Sequence, residues 1–139
     1  MAMWLYQMSQ TQWPPNSYRL DIWENERWRW PTGKRVPKGL EPGDTVAFFY
    51  ARKGGPEPGF YGWAVVLDLH DDGRGMYFRP VAPSDHLKMD PWWDEKAATI
   101  ADEVRGTVKQ GTMWRVSIET AREISTGITG WLARHRQKQ

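Results

Sequence analysis

Residues 24–39, ENERWRWPTGKRVPKG, hold two tryptophans inside a run of positive charge. Trp28 and Trp30 stand one residue apart, and every charged residue from Arg27 to Lys38 is basic. Such a stretch is poor material for a core, because large rings gain from burial whereas charged groups require water. Flat rings beside cations are instead what a protein needs in order to stack an unpaired base and hold its phosphates.

Holding a base outside its stack requires an aromatic wall, polar groups at the base edge and cations along the backbone path. Trp28 and Trp30 are the wall candidates, and the residues that could contact the base edge are Ser9, Gln10 and Tyr50. Phosphate contacts are predicted for Arg29, Lys34, Arg35, Arg52 and Lys53. The two tryptophans share a face only if their segment is extended, which the following proline favours. Both could equally be core residues, so a ligand wall and a structural role stay open as alternatives.

The elements that must position these residues are mostly strands. Runs of aromatic and β-branched residues predict strands at 3–8, 45–51, 60–69, 76–81 and 111–118, and PGD at 42–44 predicts a turn. Helices are predicted at 16–23, capped by Asn16 or Ser17, at 94–104, and at 119–135 with a cap at Ser117. Gly127 and Gly130 predict a bend or break in the last helix. The pattern indicates one α+β domain over residues 1–139, with a small mixed or antiparallel, barrel-like sheet and flanking helices.

Composition argues against several other kinds of site. The 139 residues contain no cysteine, which rules out thiol nucleophiles and cysteine-ligated zinc and predicts a reducing, cytoplasmic location. His70 and His86 lack the spacing of a metal site and no phosphate-binding glycine loop occurs, so neither metal nor cofactor is expected. Without a signal peptide or an apolar run of ~20 residues, no membrane partner is expected either.

Several segments, in order, resemble the EVE family of the PUA-like superfamily, which is related to YTH and ASCH domains. The strongest likeness is PGDTVAFFYAR (42–52) followed by GFYGWAVVL (59–67), which are similar to that family's GD-x-V-x-FFY and G-x-A-x-V segments. MWLYQMSQ (3–10) and ERWRWPTGKR (26–35) are similar to its first strand and its central motif. The resemblance implies a PUA-like fold. It also implies a pocket, between the first strand and the segment after the first helix, that holds a flipped and often modified nucleobase.

Residues and resemblance together predict a non-catalytic module that binds DNA or RNA and holds one flipped, modified base in an aromatic pocket. Two alternatives stay open. The chain could be an ASCH-like amidohydrolase acting on a modified nucleoside. Such enzymes have a lysine, a threonine and a glutamate in their pocket, and the available counterparts here are Lys34, Thr45 and Glu24 or Glu26. It could also be a methyl-lysine reader, since an aromatic cage attracts cations. A basic pocket rim would favour nucleic acid, whereas an acidic rim would favour methyl-lysine.

Overall fold

Strands outnumber helices in the structure. The computed structural model describes residues 2–8, 17–29, 35–50, 59–82, 92, 94–105 and 113–137. In this part of the chain the strands are β1 (Met3–Gln7), β2 (Arg27–Arg29), β3 (Thr45–Tyr50), β4 (Gly59–Leu69), β5 (Gly75–Ala82) and β6 (Met113–Arg115). The helices are α1 (Tyr18–Trp23), which is of π type, α2 (Glu95–Arg105) and α3 (Ile118–Gln137).

The six strands form one open sheet in the order β2-β5-β4-β3-β1-β6. β1 pairs with β3 in parallel, and the other neighbouring pairs are antiparallel. β1, β3, β4 and β5 lie close to their predicted positions, whereas β6 ends at Arg115, before the predicted end at 118, where α3 has already begun. The mixed sheet with flanking helices confirms the predicted α+β fold class.

Alternation along the strands gives the sheet two buried faces of different composition. On β1, Trp4 and Tyr6 point to one face, called the inner face, and Met3 and Leu5 point to the other, called the outer face. The inner face also receives α1 and β2, and its largest buried side chains are aromatic: Trp4, Tyr6, Tyr18, Trp23, Trp28, Phe48, Tyr50, Tyr61 and Phe78. The outer face is covered by α2 and α3, which contribute Ala97, Ile100, Ala101, Ile124 and Ile128. Edge-to-face ring pairs stabilise the inner face beyond the burial of their area.

The last helix does not break at its two glycines, contrary to the prediction. α3 is unbroken from Ile118 to Gln137, across both Gly127 and Gly130. At Gly127 the ring of Trp92 packs so closely that a Cβ would collide with it. Packing of α3 against Trp92 and the outer face therefore outweighs the low helix propensity of glycine, ~1 kcal/mol per residue.

Side chains cap two of the three helices that the structure describes. The Ser117 hydroxyl caps α3, as predicted, by accepting a hydrogen bond from Thr120 N at 3.2 Å. Asp94 caps α2 by accepting a hydrogen bond from Ala97 N at 2.9 Å. Of the two predicted caps of α1, Ser17 makes no capping hydrogen bond with its side chain, and Asn16 lies outside the described ranges. Within the described ranges, no helix has the length and apolar character that crossing a membrane requires.

One buried carboxylate joins the first strand to the third. The predicted turn at 42–44 is present and delivers Asp44 to the start of β3. The Asp44 carboxylate accepts three hydrogen bonds of 3.0 Å, from Ala2 N, Glu41 N and Trp4 Nε1. Burial by itself would raise the pKa of Asp44, but these donors hold that pKa below its ordinary value. The carboxylate stays charged at neutral pH and stabilises the parallel β1–β3 pair.

Candidate functional site

β2 gives the basic, aromatic stretch of the sequence two different faces. Glu26 has a positive φ of 55°, which reverses the chain after α1, and its carbonyl oxygen accepts a hydrogen bond of 2.9 Å from the backbone of β5. β2 then pairs with β5 so that Arg27 lies opposite Tyr77 and Trp28 lies opposite Met76. Because neighbouring strand residues point to opposite faces, Trp28 enters the inner core whereas Arg27 is exposed.

A cleft of about 570 Å³ lies between α1, β2 and the turn that joins β4 to β5. It is lined by Asp21, Ile22, Arg27, Trp28, His70, Asp71, Asp72 and Tyr77. Trp28 lines the cleft, but its side chain is 1% exposed and its ring packs inward against the ring of Tyr6, with centroids 5.0 Å apart. Sites for small ligands have volumes of roughly 300–1,000 Å³. The cleft therefore has the size of a ligand site.

The accessible ring at this cleft belongs to Tyr77, whose side chain is 47% exposed. The His70 ring packs against it, with centroids 4.5 Å apart and an interplanar angle of 56°. His70 is held by backbone hydrogen bonds across the turn, from its own N to Gly75 O and from Gly73 N to its carbonyl oxygen. A Cβ at Gly75 would collide with His70 Nδ1 and with the Trp28 carbonyl oxygen, so only glycine permits this arrangement. The turn thus supports Tyr77 as a stacking surface.

Charges of both signs surround the cleft. The acids that line it are Asp21, Asp71 and Asp72, and the basic residue that lines it is Arg27. Two further arginines lie at the β4–β5 turn: the Arg35 guanidinium approaches Gly73, and Arg74 is exposed. Among the described residues the rim is therefore neither uniformly basic nor uniformly acidic, and rim charge alone does not choose between nucleic acid and methyl-lysine.

One predicted site residue lines this cleft, and two others lie near it in the chain's fold. Trp28 lines the cleft, Arg29 of β2 is paired with Gly75 of β5, and Arg35 lies beside Gly73 of the adjacent turn. The side chain of Arg29 is not among those described. Six further predicted residues lie outside the described ranges: Ser9, Gln10, Trp30, Lys34, Arg52 and Lys53. The assignments of all these residues to base or phosphate contacts stay predictions.

Tyr50 lies at the other end of the sheet. It pairs with Gly59 at the start of β4, whereas the cleft adjoins the end of β4, where Leu69 pairs with Met76. Tyr50 is buried in the inner face and its ring meets that of Tyr61 with centroids 5.0 Å apart. Burial, and then the neighbouring tyrosines, raise the pKa of Tyr50, so its hydroxyl stays protonated. The structure does not bring Tyr50 to the cleft.

The residues considered for catalysis are not gathered in one cleft either. Thr45 lines a groove beside α3, whereas Glu24 and Glu26 belong to the turn between α1 and β2 and do not line that groove. Lys34 lies outside the described ranges. Within the part of the chain that the structure describes, no group of three or more His, Asp or Glu side chains could hold a metal ion. The described geometry thus offers no assembled catalytic set.

Comparison with known proteins shows a shared fold but no shared family. No model of a known family matches the sequence, and no curated protein matches it. A solved Mmi1 YTH domain superposes with a TM-score of 0.58 at 12% identity, covering 96% of this chain and 78% of that one. A Mmi1 YTH domain in complex with RNA superposes with a TM-score of 0.59 at 11% identity, covering 96% and 81%. The chain therefore has a fold like that of YTH domains, which the resemblance named as related, whereas membership of the EVE family is not shown.

The sequence reasoning missed Tyr77 and His70 as candidate ligand contacts. From the sequence, Tyr77 is predicted only as part of the strand at 76–81, and His70 is considered only as a metal ligand. The alternation in MYFR (76–79) nevertheless contains the relevant pattern, because residues two apart share a face. It places the tyrosine with an arginine, opposite the apolar Met76 and Phe78. An aromatic residue on the polar face of a strand is the feature that would have identified this site.

Proposed function

We propose that the protein is a non-catalytic RNA-binding module whose cleft, between α1, β2 and the β4–β5 turn, holds one unpaired and modified base. The observation that carries the proposal is the accessible ring of Tyr77, which lines a cleft of about 570 Å³. The likeness to a YTH domain that was solved in complex with RNA supports the choice of RNA.

The cleft provides different partners for the two ends of a nucleotide. Base–aromatic stacking is worth ~1–3 kcal/mol per base, and the exposed Tyr77 ring, supported by His70, is available for it. Carboxylates accept hydrogen bonds and repel phosphates, so Asp21 and Asp71 would accept hydrogen bonds from the exocyclic amino group of a base. Arg27 and Arg35 would contact phosphates. An amino group that carries one methyl keeps one N–H donor, so such a modification remains compatible with the carboxylates.

Binding of labelled single-stranded oligonucleotides, measured by fluorescence anisotropy, tests the proposal. The series consists of one RNA sequence without modification, with N6-methyladenine and with 5-methylcytosine, and of the three DNA counterparts. We expect RNA to bind more tightly than DNA, and one modified RNA to bind more tightly than the unmodified RNA. Equal and negligible binding of the six oligonucleotides would contradict the proposed function.

The salt dependence identifies the arginines that contact phosphates. For single strands, log affinity falls with log salt concentration by roughly 0.7 per phosphate contact. Arg35→Ala should reduce this slope by about one contact for every sequence. The matched control is Arg115→Ala, because Arg115 is exposed on β6, at the opposite edge of the sheet from β2. Equal slopes for the two variants would remove Arg35 from the interface.

A second candidate function is methyl-lysine recognition at the same cleft. Three aspartates, Asp21, Asp71 and Asp72, line it beside the accessible Tyr77 ring. Carboxylates and aromatic rings both attract a quaternary ammonium group. Peptides with and without trimethyl-lysine, measured under the same conditions as the oligonucleotides, decide between the two functions. If the trimethylated peptide binds and the oligonucleotides do not, the result would favour methyl-lysine recognition.

A further inference from the structure

A second concavity lies on the outer face, far along the sheet from the cleft. It has a volume of about 460 Å³. It lies between the first half of α3 and the sheet, where it is bordered by the starts of β1 and β3, the end of β6 and the middle of β4. β6 is held to β1 by a hydrogen bond from Val116 N to Met3 O at 3.0 Å, and α3 begins two residues later. This concavity, called the α3 groove, belongs to the β6 edge of the sheet, whereas the cleft belongs to the β2 edge.

The walls of the α3 groove are mostly apolar. Met3, Trp63, Val116, Ile118 and Ala121 line it. Ile118 is 68% exposed, although it stands in the first turn of a helix whose later isoleucines, Ile124 and Ile128, are buried. Trp63 is half-buried, and its indole N–H has no hydrogen-bond partner among the described residues. An occupant with apolar side chains would therefore remove Ile118 and Trp63 from water.

The charges at the α3 groove are of one sign. Arg115 and Arg122 line it and are exposed, and no carboxylate lines it. Neither guanidinium forms an ion pair within the described part of the chain. Elsewhere on the same helix, Glu123 is paired with Lys96 of α2 at 3.3 Å. The groove thus combines apolar walls with two arginines that face no carboxylate, which is complementary to an apolar segment that carries acids.

We propose that the α3 groove binds a segment of a partner protein in which aliphatic or aromatic residues alternate with Asp or Glu. The apolar side chains lie against Trp63 and Ile118, and the carboxylates pair with Arg115 and Arg122. This surface is separate from the proposed RNA cleft and does not depend on it. It gives the module a second contact, through which a protein partner can be bound while the cleft remains open.

A peptide-display library of random 12-residue segments, selected on the full chain, tests the proposal. Enriched peptides should contain Asp or Glu next to aliphatic or aromatic residues. Synthetic versions of them should bind about tenfold more weakly to Ile118→Ser and to the double variant Arg115→Glu, Arg122→Glu. Arg27→Glu and Leu20→Ser, exposed residues away from this groove, are the matched controls and should leave the affinity unchanged. Equal thermal stability of the variants confirms that each one folds.

Three results would overturn the proposal. The first is the absence of enrichment, or enrichment of peptides that bind the groove variants and the control variants equally. The second is self-association of the wild-type chain in sedimentation that Ile118→Ser abolishes, which would make the groove an interface between two copies. The third is loss of RNA binding in the double arginine variant but not in Arg27→Glu, which would assign the groove to RNA. A failure of RNA binding in every variant concerns the cleft and leaves the peptide result independent.

Discussion

Trp28 and Tyr77 lie on paired strands, one residue out of register, and differ sharply in exposure. Trp28 is 1% exposed and its ring packs against Tyr6 in the inner face, whereas Tyr77 is 47% exposed and packs against His70. The two rings therefore belong to opposite faces of one two-stranded ribbon. In such a ribbon, the residues that stabilise the fold alternate with those that are free to contact a ligand. Substitutions can therefore alter ligand contact with little effect on stability, and stability with little effect on ligand contact.

The largest expected effect of a substitution on this ribbon is at Trp28. Trp28→Ala removes a buried ring and leaves a cavity, so we expect a loss of about 3–5 kcal/mol in the free energy of unfolding. Urea denaturation measures it, and Trp28→Phe, which keeps a ring, is the control with a smaller loss. A loss below ~1 kcal/mol for the alanine variant would contradict the assignment of Trp28 to the core.

The next largest loss of stability is expected at the buried carboxylate of Asp44, compared with the exposed carboxylate of Asp71 at the cleft. Asp44→Asn weakens the hydrogen bonds from Ala2 N, Glu41 N and Trp4 Nε1, and should cost about 1.5–3 kcal/mol at pH 7. Asp71→Asn, at an exposed carboxylate of the cleft, is the control and should change stability by less than ~0.5 kcal/mol. Equal losses would show that the buried carboxylate has no special role.

The same carboxylate predicts a dependence of stability on pH. The pKa of Asp44 is lowered in the folded state, so the unfolded state binds more protons as the pH falls through the unfolded value of ~3.9. The contribution of Asp44 is therefore complete above that pH and is lost as the pH falls through the lower, folded pKa. Urea denaturation between pH 7 and pH 2 should show a smaller acid-induced loss for Asp44→Asn than for the wild type.

Gly75 lies against both the Trp28 backbone and the His70 ring, so its substitution should affect both the stability of the fold and the position of His70 beside Tyr77. A Cβ there would collide with the Trp28 carbonyl oxygen and with His70 Nδ1, and Gly75→Ala should cost about 1–3 kcal/mol. The His70 ring should also move away from Tyr77, which changes its NMR chemical shifts. Gly130→Ala is the matched control, because α3 has space there beside the flexible end of Arg134, and alanine should stabilise the helix by up to ~1 kcal/mol. Unchanged His70 resonances in Gly75→Ala would contradict the proposed support of Tyr77.

The smallest effect on stability is expected at Tyr77. Tyr77→Ala should change the free energy of unfolding by less than ~1 kcal/mol, because the side chain is half exposed. RNA affinity should fall by ~1–3 kcal/mol if the ring stacks on a base, and Tyr77→Phe should retain most of it. Normal RNA binding by a folded alanine variant would show that the stacking surface lies elsewhere.

Much of the fold could be predicted from local pattern. The strands at 45–51 and 60–69 were recognised from long apolar runs between turn residues, and both are present as β3 and β4. β2 was not recognised as part of the sheet, because its three residues, Arg-Trp-Arg, are too short for a periodic pattern. The continuity of α3 depends on contact between Gly127 and Trp92, which are 35 residues apart in the sequence. Local helix propensity does not contain that contact.

The candidate site was less predictable than the fold, because it depends on register. The basic stretch pointed to Trp28, which lines the cleft, and to Arg35, which lies beside the adjacent turn, and their roles in binding stay predictions. Whether a strand residue faces the core or solvent depends on pairing, and β4 and β5 shift register between Val66 and Asp68. Such a bulge cannot be derived from composition. Tyr50 shows the same limit, since only the antiparallel pairing of β3 and β4, which puts it beside Gly59, reveals that it lies at the other end of the sheet from the cleft.

The position of β1 between β3 and β6 has a consequence for synthesis of the chain. β1 can dock on β3 once residues 45–50 have emerged from the ribosome, but its other neighbour begins at Met113. At a translation rate of ~5–20 residues per second, that neighbour follows roughly 5 to 20 seconds after the first strand. During this interval one edge of β1 presents unpaired N–H and C=O groups, which can pair with another nascent chain. A ribosome that stalls before β6 would therefore leave β1 as an aggregation-prone edge strand of an otherwise nearly complete sheet.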